Sequence, residues 1–128
     1  MPVRPVHVAL LFHCNQAISS FAQIAAENCY RGLVRVLRRH PRAGLNFHWS
    51  GSLLASLQWW YPDLVRTIRR ELARGRWEAL VSTYAQSVPF TGPASLNRLA
   101  LGVHRAALRA AFPEWTPRGY WISERSWR

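Results

Sequence analysis

The feature that most constrains this fold is an alternation: short apolar runs separated by longer stretches patterned for helices. Val6 to Phe12 is nearly continuous apolar sequence, interrupted only by His7. It reads as a strand covered on both faces, as in a parallel sheet. Ile18 to Arg39 is helix-compatible, with Ser19 or Ser20 placed to cap it and Pro41 just beyond its basic end. GLNFHW, Gly44 to Trp49, is a second strand, and SGSLLASLQWW leads from it through a turn into a short helix. Pro62 to Arg74 is a further helix: Pro62 suits a first-turn position, Leu64, Ile68 and Leu72 fall on one stripe, and Gly75 is a C-cap. WEALVSTY, Trp77 to Tyr84, is the third strand, and SVPFTGPAS is a loop. Leu96 to Phe112 reads as a helix with Leu96, Leu99, Val103 and Ala107 facing inward, and RGYWIS, Arg118 to Ser123, is the fourth strand.

Strand, helix, strand, helix, strand, helix, strand predicts an α/β fold of parallel βα units. Right-handed crossovers place the helices outside. Four strands make a small open sheet or the opening part of a barrel. A complete eight-stranded α/β barrel takes about 250 residues, against 128 here. The expectation is therefore one domain, spanning the whole chain and incomplete.

Composition narrows the class. With 49% apolar residues the chain is an ordinary globular sequence, which excludes a disordered one. No run approaches a membrane span. The start, MPVRPVHVALLFHC, lacks the long apolar core and small-residue cleavage site of a signal peptide, so the protein is read as cytoplasmic. Cys14 and Cys29 make neither a disulfide framework nor a zinc spacing, and no metal or cofactor is expected. Cys14 follows a histidine, but a semi-buried thiol is the preferred reading over a nucleophile. The formal charge is +11, and all 17 basic residues are arginine. These arginines are scattered through the helical segments, without a nucleic-acid-binding motif. A solvated helix face explains them better than a nucleic-acid partner.

In parallel α/β folds, chemistry gathers beyond the carboxyl ends of the strands. Those ends carry His13, Asn15 and Gln16; His48, Trp49 and Ser50; Tyr84 and Gln86; and Trp121, Glu124, Arg125 and Trp127, with Glu78 near the start of the third strand. Indole faces match the apolar faces of sugar rings, and His, Asn, Gln and Glu match ring hydroxyls. A carboxylate among them has the chemistry of a nucleophile at an anomeric carbon. Taken singly, His13 also fits a satisfied strand-end histidine, Glu78 a salt-bridged strand residue, and Glu124 an ion pair with an arginine.

LFHCNQ, GRWEAL and GYWISERSW, in that order, resemble three sequence regions of glycoside hydrolase family 57. NFHWSGSLLASL resembles the stretch between the first two. The resemblance covers essentially the whole chain and only the amino-terminal part of a family catalytic domain. It implies the beginning of an incomplete (β/α)7 barrel that acts on α-glucans or maltooligosaccharides with retention of configuration. The family's first region usually reads His-x-His-Gln-Pro. Here His13 and Gln16 match, while Asn15 replaces the second histidine and Ala17 the proline. By the same resemblance, Glu78 is the glutamate of the second region. Glu124 is the catalytic nucleophile, and Trp121 the aromatic residue ahead of it. Substrate contacts are thus implied for His13, Asn15, Gln16, Glu78 and Trp121.

The family's general acid/base is an aspartate in a later region. This chain has one aspartate, Asp63, at a predicted helix start, where it suits the helix dipole. The resemblance therefore implies a fragment holding the nucleophile without the acid/base, inactive alone. Three other readings compete. A related barrel deacetylase would need a metal site of aspartates and histidines. A carbohydrate-binding remnant would bind without chemistry. A basic nucleic-acid-binding domain would show steep salt dependence.

Overall fold

The computed structural model describes residues 4–16 and 19–125, the side chains of Ser19 and Arg125 excepted. Ala17, Ile18 and Trp127 lie outside the described residues. Three parallel strands, β1 (Leu10–Cys14), β2 (Leu45–Trp49) and β3 (Trp77–Ala79), pair in the order β1-β2-β3. A fourth parallel connection is a single bridge, Val81 to Tyr120. Its hydrogen bonds run from the Val81 N–H to the Gly119 carbonyl (3.1 Å) and from the Trp121 N–H to the Val81 carbonyl (2.7 Å). Between β1 and β2 run α1 (Ser19–Ala25), a π-helical turn (Ala26–Tyr30) and α2 (Arg31–Arg38), as one continuous helical segment. Helices α3 (Gly51–Trp60) and α4 (Pro62–Ala73) separate β2 from β3, and α5 (Ala94–Ala111) follows β3. Among the described residues, no helix is long and apolar enough to cross a membrane.

The register divides the sheet by the period of two that strands impose. Leu10 faces Leu45, Phe12 faces Phe47, and Cys14 faces Trp49, while Leu45 and Phe47 continue into Trp77 and Ala79. Leu10 apart, these residues meet the helices. Phe47, Trp49 and Trp77 are buried there, with ring centroids 4.7 Å apart for Phe47–Trp49 and 5.0 Å for Phe47–Trp77. The other face carries Leu11, His13, Asn46, His48 and Glu78.

Local chemistry sets the element ends. Ser50 caps α3, its hydroxyl accepting from the Leu53 N–H. Pro62 opens α4, and Gly75 follows its end at φ +69°, a left-handed conformation that glycine reaches without steric cost. Gly51 is required for space: a Cβ there would lie 2.0 Å from the Tyr84 ring.

Three expectations need correction. The first strand does not start at Val6 and is not covered on both faces. Val6 and Val8 are exposed outside it, and Leu10 and Leu11 are exposed within it. Among the described residues β2 is its one neighbour, so pairing with Leu45–Trp49, not apolar content, fixes its limits. The third strand stops at Ala79, and the fourth is reduced to the bridge at Tyr120. Helix α5 is turned: Leu96, Leu99 and Val103 are exposed, and the buried stripe runs through His104, Leu108 and Ala111. That rotation follows from two hydrogen bonds made by the His104 ring, one with the Ser82 N–H and one with the Trp49 carbonyl.

Candidate active site

The polar face of the sheet reaches its carboxyl end at His13 on β1 and His48 on β2, paired in register. Their Nδ1 atoms lie 2.9 Å apart, and the rings stack with centroids 4.9 Å apart. Trp121 stacks on both, at 4.8 Å from His13 and 5.8 Å from His48. His13 is exposed and His48 fully buried. Burial, reinforced by His13 and His104, pushes the His48 pKa down to about 3. Burial also lowers His13, while the Glu124 carboxylate acts in the opposite sense, favouring its proton. Both shifts favour the neutral rings, and a hydrogen bond between the two Nδ1 atoms then needs one ring to donate and the other to accept. The tautomers of His13 and His48 are coupled for that reason.

Beneath this pair the polar atoms interlock. His48 Nε2 lies 2.8 Å from the Ser82 hydroxyl and 2.9 Å from the Gln86 side-chain amide. His104, fully buried, accepts from the Ser82 N–H through Nδ1 (2.8 Å) and donates from Nε2 to the Trp49 carbonyl (2.9 Å). Those two bonds clamp α5 to the end of β2 and to the segment that follows β3.

Glu124 is exposed at the end of the Tyr120 segment, with φ 56° and ψ 11°. Among the described residues, the other non-glycine residue at positive φ is Gln86, at 62°, beyond the end of β3. Such backbone is sparsely populated by side-chain-bearing residues and clusters at functional sites. The Ser123 hydroxyl, buried 3.3 Å from that of Thr83, anchors the residue before Glu124.

The remaining candidates spread outward. Asn15 and Gln16 border a cavity of about 610 Å³ walled by Phe21, Ile24 and Cys29, and Gln16 accepts a hydrogen bond from the Tyr30 hydroxyl. Glu78 shares the face of His48 but lies two residues nearer the amino end, with Arg118 at 3.9 Å. One of its oxygens is buried without a partner among the described residues, as are Gln86 Oε1 and Trp121 Nε1. Cys14 is no nucleophile: burial, before any neighbour, pushes its thiol up to about 12. His48 and Gln86, which the sequence places at strand ends, are joined in the cluster by Ser82 and His104, which the strand-end pattern does not single out. Their only signal was polarity at alternate strand positions and one histidine on an otherwise apolar helix face.

The model of glycosyl hydrolase family 57 matches residues 8–128. The chain belongs to this family. Its relatives include a 4-alpha-glucanotransferase of Thermococcus litoralis, 24% identical over 119 residues, covering 91% of this chain and 18% of that protein. Alpha-amylase 1 of Dictyoglomus thermophilum is 24% identical over 127 residues, covering 97% of this chain and 18% of the relative. The chain superposes on the crystal structure of the Thermococcus litoralis 4-alpha-glucanotransferase with a TM-score of 0.86 at 23% identity, covering 94% of this chain and 19% of that one. The fold is therefore that of the amino-terminal βα units of a (β/α) barrel, and this family 57 chain spans less than a fifth of each of those relatives.

Proposed function

We propose that this chain contributes the nucleophile and part of the glucan-binding surface of a retaining α-glucan hydrolase or glucanotransferase. Glu124 is the nucleophile, and His13, Asn15, Gln16, Glu78 and Trp121 contact the substrate. The observation that carries this reading is the placement of Glu124: left-handed, exposed, and close enough to bias the proton of His13 under the Trp121 face. The names of the relatives, a glucanotransferase and an amylase, favour an α-glucan.

In this scheme a Glu124 oxygen attacks the anomeric carbon as the bond to the leaving oxygen breaks, giving a covalent glycosyl-enzyme. Water or an acceptor hydroxyl then displaces Glu124 from the opposite face, restoring the original configuration. The leaving oxygen needs a proton from a second carboxyl about 5–5.5 Å from the first. Glu27, Asp63, Glu71, Glu78 and Glu114 are each ion-paired with arginine, and Asp63 sits on α4 at 2.6 Å from Arg31. The proton donor accordingly comes from outside these 128 residues.

A 5-fluoro-α-glucosyl fluoride separates the two roles, because fluoride departs without a proton. The chain is expected to become labelled at Glu124, read by peptide mass spectrometry, and to leave maltoheptaose intact. Labelling elsewhere, or none in a sample that still binds maltoheptaose, would reduce the chain to a carbohydrate-binding remnant.

A further inference from the structure

At the amino end of β3, away from His48, a cleft of about 470 Å³ opens between α2 and α4. Six arginines line it: Arg31, Arg35, Arg38, Arg39, Arg74 and Arg76. Against them stand two carboxylates, Asp63 and Glu71, leaving a formal excess of four positive charges. Glu71 forms the floor. It is 1% exposed and ion-paired with Arg38 (3.1 Å), Arg74 (3.2 Å) and Arg76. One carboxylate cannot neutralise three guanidiniums.

We propose that this cleft binds a small organic phosphate carrying at least two anionic charges. Arg35 and Arg39 are exposed on its rim and make no ion pair among the described residues. Arg76 Nε is buried without a hydrogen-bond partner among them. Guanidiniums present paired N–H donors that fit phosphate oxygens, and the volume lies within the range of small-molecule sites. Arginines in the last turn of a helix also offset its dipole. That accounts for Arg35 and Arg38 and for Arg39 and Arg74, which follow the ends of α2 and α4, but not for Arg76, which lies outside both helices. A neutral glucan would leave the excess charge uncompensated, so the ligand differs from that of the proposed active site. A concave cleft with a carboxylate floor fits a compact anion better than a nucleic-acid backbone, which tracks an extended surface.

Titration calorimetry of the chain with pyrophosphate tests the assignment. Saturable one-to-one binding is expected, unchanged in Glu124→Gln and weakened about tenfold or more in the Arg35→Ala/Arg39→Ala double variant. Arg35→Lys/Arg39→Lys, which keeps the charge and loses the paired donors, is expected to fall between. If the alanine variant does not fold, the lysine variant decides, and affinity equal to that of the parent overturns the proposal. So does an absence of pyrophosphate binding, equal affinity for citrate, or a tighter and more steeply salt-dependent affinity for duplex DNA.

Discussion

His13 and His48 face each other with their Nδ1 atoms 2.9 Å apart, one ring exposed and the other fully buried. Burial holds His48 at a pKa of about 3, and lowers His104 as well, against an unperturbed value near 6.5. The unfolded chain therefore binds more protons below pH 6.5 than the folded one. Stability is complete above that pH and falls as the pH drops, by up to ~1.4 kcal/mol per pH unit towards pH 3 from His48, with His104 acting in the same sense. Urea denaturation at pH 7.5 and at pH 5 measures the loss. His48→Phe is expected to flatten the slope.

His104 joins the Ser82 N–H to the Trp49 carbonyl from the middle of α5. Replacing it with leucine keeps the volume and leaves both backbone groups buried without partners. The expected cost is about 2–4 kcal/mol, read as a lower urea midpoint. A change below ~0.5 kcal/mol would show that α5 is held by its apolar contacts alone.

Glu71 lies beneath three arginines at 1% exposure. Glu71→Ala removes the anion and leaves the guanidiniums facing one another, at an expected cost of about 3–5 kcal/mol. Glu71→Gln keeps the shape and should lose less. Thermal unfolding of the two variants at low and high salt distinguishes charge from packing, since salt screens only the first.

Gly51→Ala places a methyl group 2.0 Å from the Tyr84 ring at the start of α3, where the Gly51 N–H also donates to the Tyr84 carbonyl at 2.8 Å. Overpacking of this kind costs about 1–3 kcal/mol. Tyr84→Ala in the same chain should recover part of it, and a double-mutant cycle measures the coupling.

Elements whose limits are local were legible in the sequence. Helix α4 has Pro62 in its first turn and Gly75 beyond its end, and β2 stands between turn residues and the Ser50 cap. What depended on neighbours was not. Apolar content suggested a strand from Val6, whereas pairing with Leu45 starts it at Leu10. The buried face of α5 is hidden from a hydropathy pattern because His104 counts as polar there, while its ring nitrogens are satisfied by groups distant in sequence. The resemblance singles out Trp121, but its stacking on two histidines comes from a register that no local pattern encodes.

The two sides of the sheet divide labour by residue parity. Phe12, Phe47 and Trp77 fasten the helices, while their immediate neighbours His13, His48 and Glu78 stand on the opposite side. Neighbouring positions on one strand therefore answer to different constraints, one to the packing of helices and the next to the polar network around His48.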